Sequence, residues 1–287
     1  MTQDTIKSLL PKFIESLKTK GRSPATLLAY KSDLSQLVDF LVAKSKVLPD
    51  QVKSDDLGAF RDTLLNDKYT PKSVSRKLNA LKTFFRWMVE QNINMSDPSA
   101  TVAHPKIESS LPKFLSQIEY RALRDVVRND TRIAAIVELI LQTGLRISEV
   151  AGLKSKDVLE TSIKIQSYAT QPERIIPLNR AAKEALDSYL KIRPKVEADY
   201  VFISKNGKPL AVRNIRASIS RYMQKAELPT YSVNDLRTTF MVGNIKAGVD
   251  LVLLSKVSGH KRLSTTERYL ELAQTTETGK LQSLTEL

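Results

Sequence analysis

Over the first hundred residues, apolar positions recur every three to four places. In SPATLLAYKSDLSQLVDFLVAKS, residues 23–45, Leu27, Leu34, Leu37, Val38 and Leu41 fall on one helical face. Ser23 is placed to cap that helix and Pro24 to occupy its first turn, where a missing N–H costs nothing. In TPKSVSRKLNALKTFFRWMVEQN, residues 70–92, Val74, Leu78, Leu81, Phe85 and Met88 form an apolar stripe. Lys72, Arg76, Asn79, Thr83 and Arg86 form a polar stripe at the same spacing, so one face packs and the other is free to meet phosphates. Weaker patterns at 4–19 and 53–66 predict two further helices. The periodicity then stops. NMSDPSATVAHPKIESSLPKF, residues 94–114, holds three prolines without a sustained period, which predicts an extended connector. We therefore expect a helical domain over 1–97, a linker over 98–113 and a second domain over 114–287. His104, beside Pro105 in the connector, reads as a plain linker residue.

The second half is mainly helical with a short β interlude. DTRIAAIVELILQTG predicts a helix ending at Gly144, and RISEVAGLKSKDV restarts one. SIKIQSY and ERIIPL predict a hairpin, with YVFIS as a third short strand. Helical periodicity returns at 180–192, 212–226, 233–248 and 249–259, and STTERYLELAQ predicts one last helix. The expected fold class is mainly α with a small antiparallel β-sheet in the second domain.

Composition narrows the chemistry. The 287 residues carry 45 Lys and Arg against 31 Asp and Glu, a formal net charge of +14 that favours a polyanionic partner. The positive balance is shared by both halves, which suits a protein that surrounds its partner. No cysteine and only two histidines leave no thiolate or imidazole cluster for a metal, and no GxxxxGK[ST] loop is present for a nucleotide. We expect no metal and no cofactor. Without a membrane-length apolar run or a signal-peptide core in MTQDTIKSLLPKF, a cytoplasmic protein with no membrane partner is expected.

Three stretches carry more specific information: TGLRISEVAGL at 143–153, NDLRTTF at 234–240 and SGHKRLSTTERYL at 258–270. In this order they resemble the signature boxes of the tyrosine site-specific recombinases, the λ-integrase-type or Xer-like family. The helical front half with its basic stripe of Lys72, Arg76 and Arg86 is similar to that family's core-binding domain. The resemblance implies a two-domain, C-shaped protein on double-stranded DNA, working as a homotetramer on two sites. It matches Arg146 and Arg237 to the family's two catalytic arginines, His260 to its His/Trp position and Tyr269 to its nucleophile. It also implies that QTTETGKLQSLTEL, residues 274–287, docks on a neighbouring subunit.

The residue types suit such chemistry. Attack on a phosphodiester concentrates negative charge on the non-bridging oxygens, and two guanidiniums clamp it. A tyrosine ester of phosphate conserves the energy of the cleaved bond, so strands can be rejoined without a nucleotide or metal. Two positions depart from the family. Asn234 stands where histidine is usual and cannot take a proton, and Thr238 follows the second arginine. The usual hairpin lysine aligns with Ala169, which leaves Lys164 as the nearest substitute general acid and Lys205 or Lys208 as alternatives. The expected function is strand cleavage and rejoining through a 3′-phosphotyrosyl intermediate, for resolution of cointegrates or dimers, in transposon-encoded or chromosomal form, or for integration and excision of a mobile element. The alternative is a catalytically weakened DNA-binding regulator or accessory protein of the same fold.

Overall fold

The computed structural model describes residues 4–108, 111–167 and 172–274. The chain divides into two units, residues 1–109 and 110–287.

Among the described residues, the first unit has four α-helices: α1 (Ile6–Thr19), α2 (Pro24–Ala43), α3 (Ser54–Asn66) and α4 (Pro71–Glu90). Their starts follow the local chemistry. The side chains of Thr5, Ser23 and Thr70 each accept a first-turn backbone N–H, and Pro24 and Pro71 stand at the first helical position. Leu9, Phe13, Leu37, Leu41, Leu57, Leu78 and Phe85 are fully or almost fully buried in one core, each contributing about 1.5–3 kcal/mol through the water-accessible area it loses. The α4 stripe Val74, Leu78, Leu81, Phe85 and Met88 is buried as its spacing requires. The buried face is wider than that stripe, because Phe84 and Trp87 also turn inward and pack with Phe13 at centroid distances of 5.1 and 5.4 Å. Lys77 is buried as well, paired with the buried Asp33 at 3.0 Å. Ser99 and Val102, within the proline-bearing stretch, are buried, with Val102 part of this core. His104 accepts from or donates to Ser75 on α4 through Nδ1 at 2.9 Å.

The second unit runs α5 (Gln117–Val127), α6 (Thr131–Thr143), α7 (Ile147–Gly152), β1 (Ser162–Ile165), β2 (Arg174–Pro177), α8 (Arg180–Ile192), α9 (Val212–Lys225), α10 (Val233–Lys246), α11 (Leu251–Ser258) and α12 (Leu263–Glu267). α6 is apolar almost all round and sits in the middle, packed by α8 and α10. β1 and β2 pair antiparallel with Ser162 opposite Pro177 and Ile165 opposite Arg174. Alternation turns Ile163, Ile165 and Ile176 inward and Lys164 and Ile175 outward.

Three local expectations change. YVFIS forms no strand of the sheet: Val201 donates to the Leu153 carbonyl, and Phe202 accepts from Leu210. Its backbone is thus satisfied by loops, while Val201, Phe202 and Ile203 are fully buried and Phe202 stacks on Tyr189 at 5.1 Å. The final helix is broken: α12 ends at Glu267, residues 268–269 form a turn, and the chain is helical again over 270–274. Tyr269 therefore stands at a break. α5 is an additional helix, started by a reciprocal cap in which Ser116 and Glu119 bond each other's backbone N–H.

Candidate active site

Two helix ends create the site. α6 and α11 both terminate in a left-handed glycine, Gly144 with φ of 64° and Gly259 with φ of 63°. A side chain at either position would strain the backbone and displace a neighbour, since a Cβ on Gly144 would lie 2.4 Å from the Phe240 ring. On Gly259 it would lie 2.9 Å from Arg174 Nη1 and 3.1 Å from Arg146 Nη1. The last carbonyls of a helix have no partner within it and carry its negative end, so they attract cations. Here they orient arginines. At the end of α11, Val257 O accepts from Arg174 Nε at 2.8 Å, Ser258 O from Arg237 Nη2 at 2.6 Å and Gly259 O from Arg146 Nη2 at 2.8 Å. At the end of α6, Gly144 O accepts from Arg237 Nη1.

One carboxylate ties the group together. Glu149 on α7 takes the backbone N–H of Arg146 at 2.8 Å and Arg174 Nη2 at 2.8 Å on one oxygen, and Arg146 Nη1 at 3.0 Å on the other. Burial would raise its pKa, but the Arg174 bond, the Arg146 backbone bond and the two guanidinium charges hold it below the usual carboxylate range. Three guanidiniums against this carboxylate leave a local excess of positive charge. Burial, then the neighbouring Arg146, lower Arg237 to about 10, so it remains cationic at neutral pH.

His260 lies against this cluster. Its Nε2 is 3.0 Å from Arg237 Nη2, and its Nδ1 is 2.8 Å from the buried Thr266 hydroxyl. A guanidinium only donates, so Nε2 must accept and the proton sits on Nδ1, facing Thr266. Burial, with Arg237 and Arg146 next in weight, pushes the imidazole down to about 4, which keeps it neutral. The Tyr269 ring lies nearly parallel to it, 8° apart with centroids 6.2 Å away, and packs in a small apolar group with Val242, Leu272 and Ala273.

The structure thus gathers four of the sequence-derived site residues, Arg146, Arg237, His260 and Tyr269. Asn234 lies in the first turn of α10, exposed, with its carbonyl accepting from Thr238. It lines a separate pocket of about 190 Å³ with Ile147, Arg216 and Ser220. Lys164 is on the hairpin face opposite to Arg174 and pairs with Glu173 at 3.0 Å. Ala169, where the family lysine aligns, lies outside the described residues. Lys205 and Lys208 are exposed in the tight turn over 204–208. On α4, Lys72, Arg76 and Arg86 are exposed as the stripe requires, with Arg76 also paired to Asp33. Sequence reasoning missed Arg174 and the role of Glu149 as the carboxylate shared by two arginines.

Residues 113–276 match the phage integrase family, and residues 10–92 match the phage integrase N-terminal SAM-like domain. The chain is a tyrosine recombinase of the phage integrase family. It is 32% identical over 273 residues to tyrosine recombinase XerC of Thermodesulfovibrio yellowstonii, an alignment covering 90% of this chain and 89% of that one. Its fold is similar to that of the Tn1549 transposon integrase in complex with transposon right end DNA, at a TM-score of 0.78 and 19% identity, covering 96% and 99% of the two chains. It is likewise similar to a lambda integrase dimer bound to a COC′ core site, at a TM-score of 0.76 and 18% identity, covering 91% and 97%. The recombinase carries out site-specific DNA recombination. Among the described residues, no helix is long and apolar enough to cross a membrane.

Proposed function

We propose that this recombinase cleaves each strand by attack of the Tyr269 hydroxyl on the scissile phosphorus, releasing a 5′ hydroxyl and leaving a 3′-phosphotyrosyl bond. Attack by a second 5′ hydroxyl reverses the step and joins a new strand. Arg146 and Arg237 hold the non-bridging oxygens. They are already oriented by helix-end carbonyls, so little reorganisation is needed as charge develops in the transition state. The observation that carries this reading is the arginine cluster beside the His260–Tyr269 ring pair. His260, neutral with its Nε2 facing Arg237, acts by orientation: it braces Arg237 and supplies a flat surface for the Tyr269 ring.

The rest of the reading follows the relatives. Residues 1–97 bind DNA through the exposed face of α4, residues 98–113 connect, and residues 114–287 catalyse. The protein works in the cytoplasm as a homotetramer on two sites, and the near-full-length likeness to XerC favours resolution of dimers or cointegrates. A lambda integrase tetramer bound to a Holliday junction is a neighbour of the same fold, at a TM-score of 0.76, which supports the tetramer. Asn234 supports the second reading, a weakened enzyme that chiefly binds DNA, since it offers no base.

Single-turnover cleavage of a nicked duplex separates the two. The duplex carries a site selected from random sequence by the protein itself. Arg146→Ala and Arg237→Ala are each expected to lose about 3 kcal/mol of transition-state stabilisation, near a 100-fold slowing, with DNA still bound. Binding without any cleavage by the unmutated protein would establish the second reading.

A further inference from the structure

Arg174 lies outside the three sequence boxes, in the second strand of the hairpin, yet only 7% of its side chain is exposed. A buried guanidinium must be held by acceptors, and two of its nitrogens are. Nε donates to Val257 O and Nη2 to Glu149, both at 2.8 Å. Its Nη1 is buried without a hydrogen-bond partner among the described residues, facing the space that Gly259 leaves open beside Arg146 Nη1. Such crowding of cations is unfavourable unless anions meet it, and Glu149 supplies one.

The connections run in one direction through the site. Arg174 holds one oxygen of Glu149, and Glu149 holds both the backbone and the guanidinium of Arg146. Arg174 also holds Val257 O, two residues before the Gly259 carbonyl that takes Arg146 Nη2. The guanidinium of Arg146 is thus held on one side by Glu149, which Arg174 bonds directly, and on the other by Gly259 O, in the helix end that Arg174 ties down at Val257 O. The fork shape matters, because a lysine is a point donor and cannot bond the helix-end carbonyl and the carboxylate in these two directions at once.

We infer that Arg174 is a positioning residue for strand cleavage: through Glu149 and the end of α11 it sets the Arg146 guanidinium against the scissile phosphate. This rests on the reading of Arg146 as a phosphate clamp. Arg174 itself acts through its neighbours and stays buried behind them.

The test measures single-turnover cleavage of the nicked duplex at saturating protein, and DNA affinity separately. Arg174→Lys keeps the charge and removes the fork. It is expected to slow cleavage about 100-fold, the scale of a misplaced catalytic group, with affinity at the wild-type value. Glu149→Gln, which leaves Arg174 in place, is expected to slow cleavage similarly, and the double variant to be no slower than the slower single one. Wild-type cleavage by either single variant, a loss confined to affinity, or multiplicative losses in the double variant would overturn the relay. Tyr269→Phe runs alongside. If it still forms a covalent adduct, the reading of the site as a whole fails; if it does not while Arg174→Lys cleaves normally, only this inference fails.

Discussion

Gly259 shows how much of the site depends on one missing methyl group. Its left-handed backbone ends α11, and its bare Cα lets the Arg146 and Arg174 guanidiniums approach the same corner. Gly259→Ala therefore strains the backbone by about 1–2 kcal/mol and pushes both cations away. We expect a lower unfolding midpoint in denaturant and cleavage slowed at least about tenfold, more than the stability loss alone would cause in a protein that remains folded. Normal cleavage by this variant would show that the corner tolerates rearrangement. His260 makes a prediction about pH. Its folded-state pKa, about 4, lies below the ordinary 6.5, so the unfolded chain binds the proton more readily. Its contribution to stability is fully present above pH 6.5 and is lost as pH falls from there toward 4. Equilibrium unfolding at stepped pH values should give a steeper decline in that window for the wild type than for His260→Gln. Equal slopes would mean that the imidazole is not held neutral in the fold.

At the scale of elements, what the sequence revealed and what it concealed divide along physical lines. α2 and α4 were legible because caps, first-turn prolines and apolar spacing all agree, as in Ser23, Pro24 and the buried leucines that follow, while α6 and α8 rest on apolar spacing and the caps Asp130 and Asn179 without a proline. α5 carried its own reciprocal cap of Ser116 and Glu119 but lay beside the proline-bearing connector, whose lack of period hid it. YVFIS read as a strand from its apolar, β-rich residues, yet whether such a run joins a sheet depends on partners distant in sequence. Arg146, Arg237, His260 and Tyr269 were legible as types at family spacing. Arg174 was not, because an arginine in a short strand normally points to water, and the approach of Val257 O from α11 and Glu149 from α7 makes a buried place for it. The hairpin also sets the expectation for Lys164. Facing away from Arg174 and paired with Glu173, it should behave as a binding residue: Lys164→Ala should slow cleavage equally on ordinary DNA and on DNA whose bridging 5′ oxygen is sulfur, a leaving group that needs little protonation. Recovery on the sulfur substrate alone would make Lys164 the general acid. For α4, Lys72→Ala and Arg86→Ala should each weaken binding to all sequences alike and lower the slope of log affinity against log salt by about one unit. An unchanged slope would leave that face merely solvated.

The whole molecule combines a helical unit with an exposed cationic helix face and a second unit in which the carbonyls at the ends of α6 and α11 gather arginines. On the function proposed above, the net charge of +14 serves two ends: distributed cations gather the polyanion, and a few buried, pre-oriented ones act on a single phosphate. On the proposed mechanism Tyr269 becomes covalently joined to DNA. The most direct measurement incubates the protein with the nicked duplex, whose nick lets the cleaved fragment diffuse away and traps the intermediate, then digests the product and locates the nucleotide-bearing peptide by mass spectrometry. An adduct on Tyr269 is expected in the wild type and, with DNA binding retained, none in Tyr269→Phe. An adduct on another residue, or one that persists in Tyr269→Phe, would contradict it.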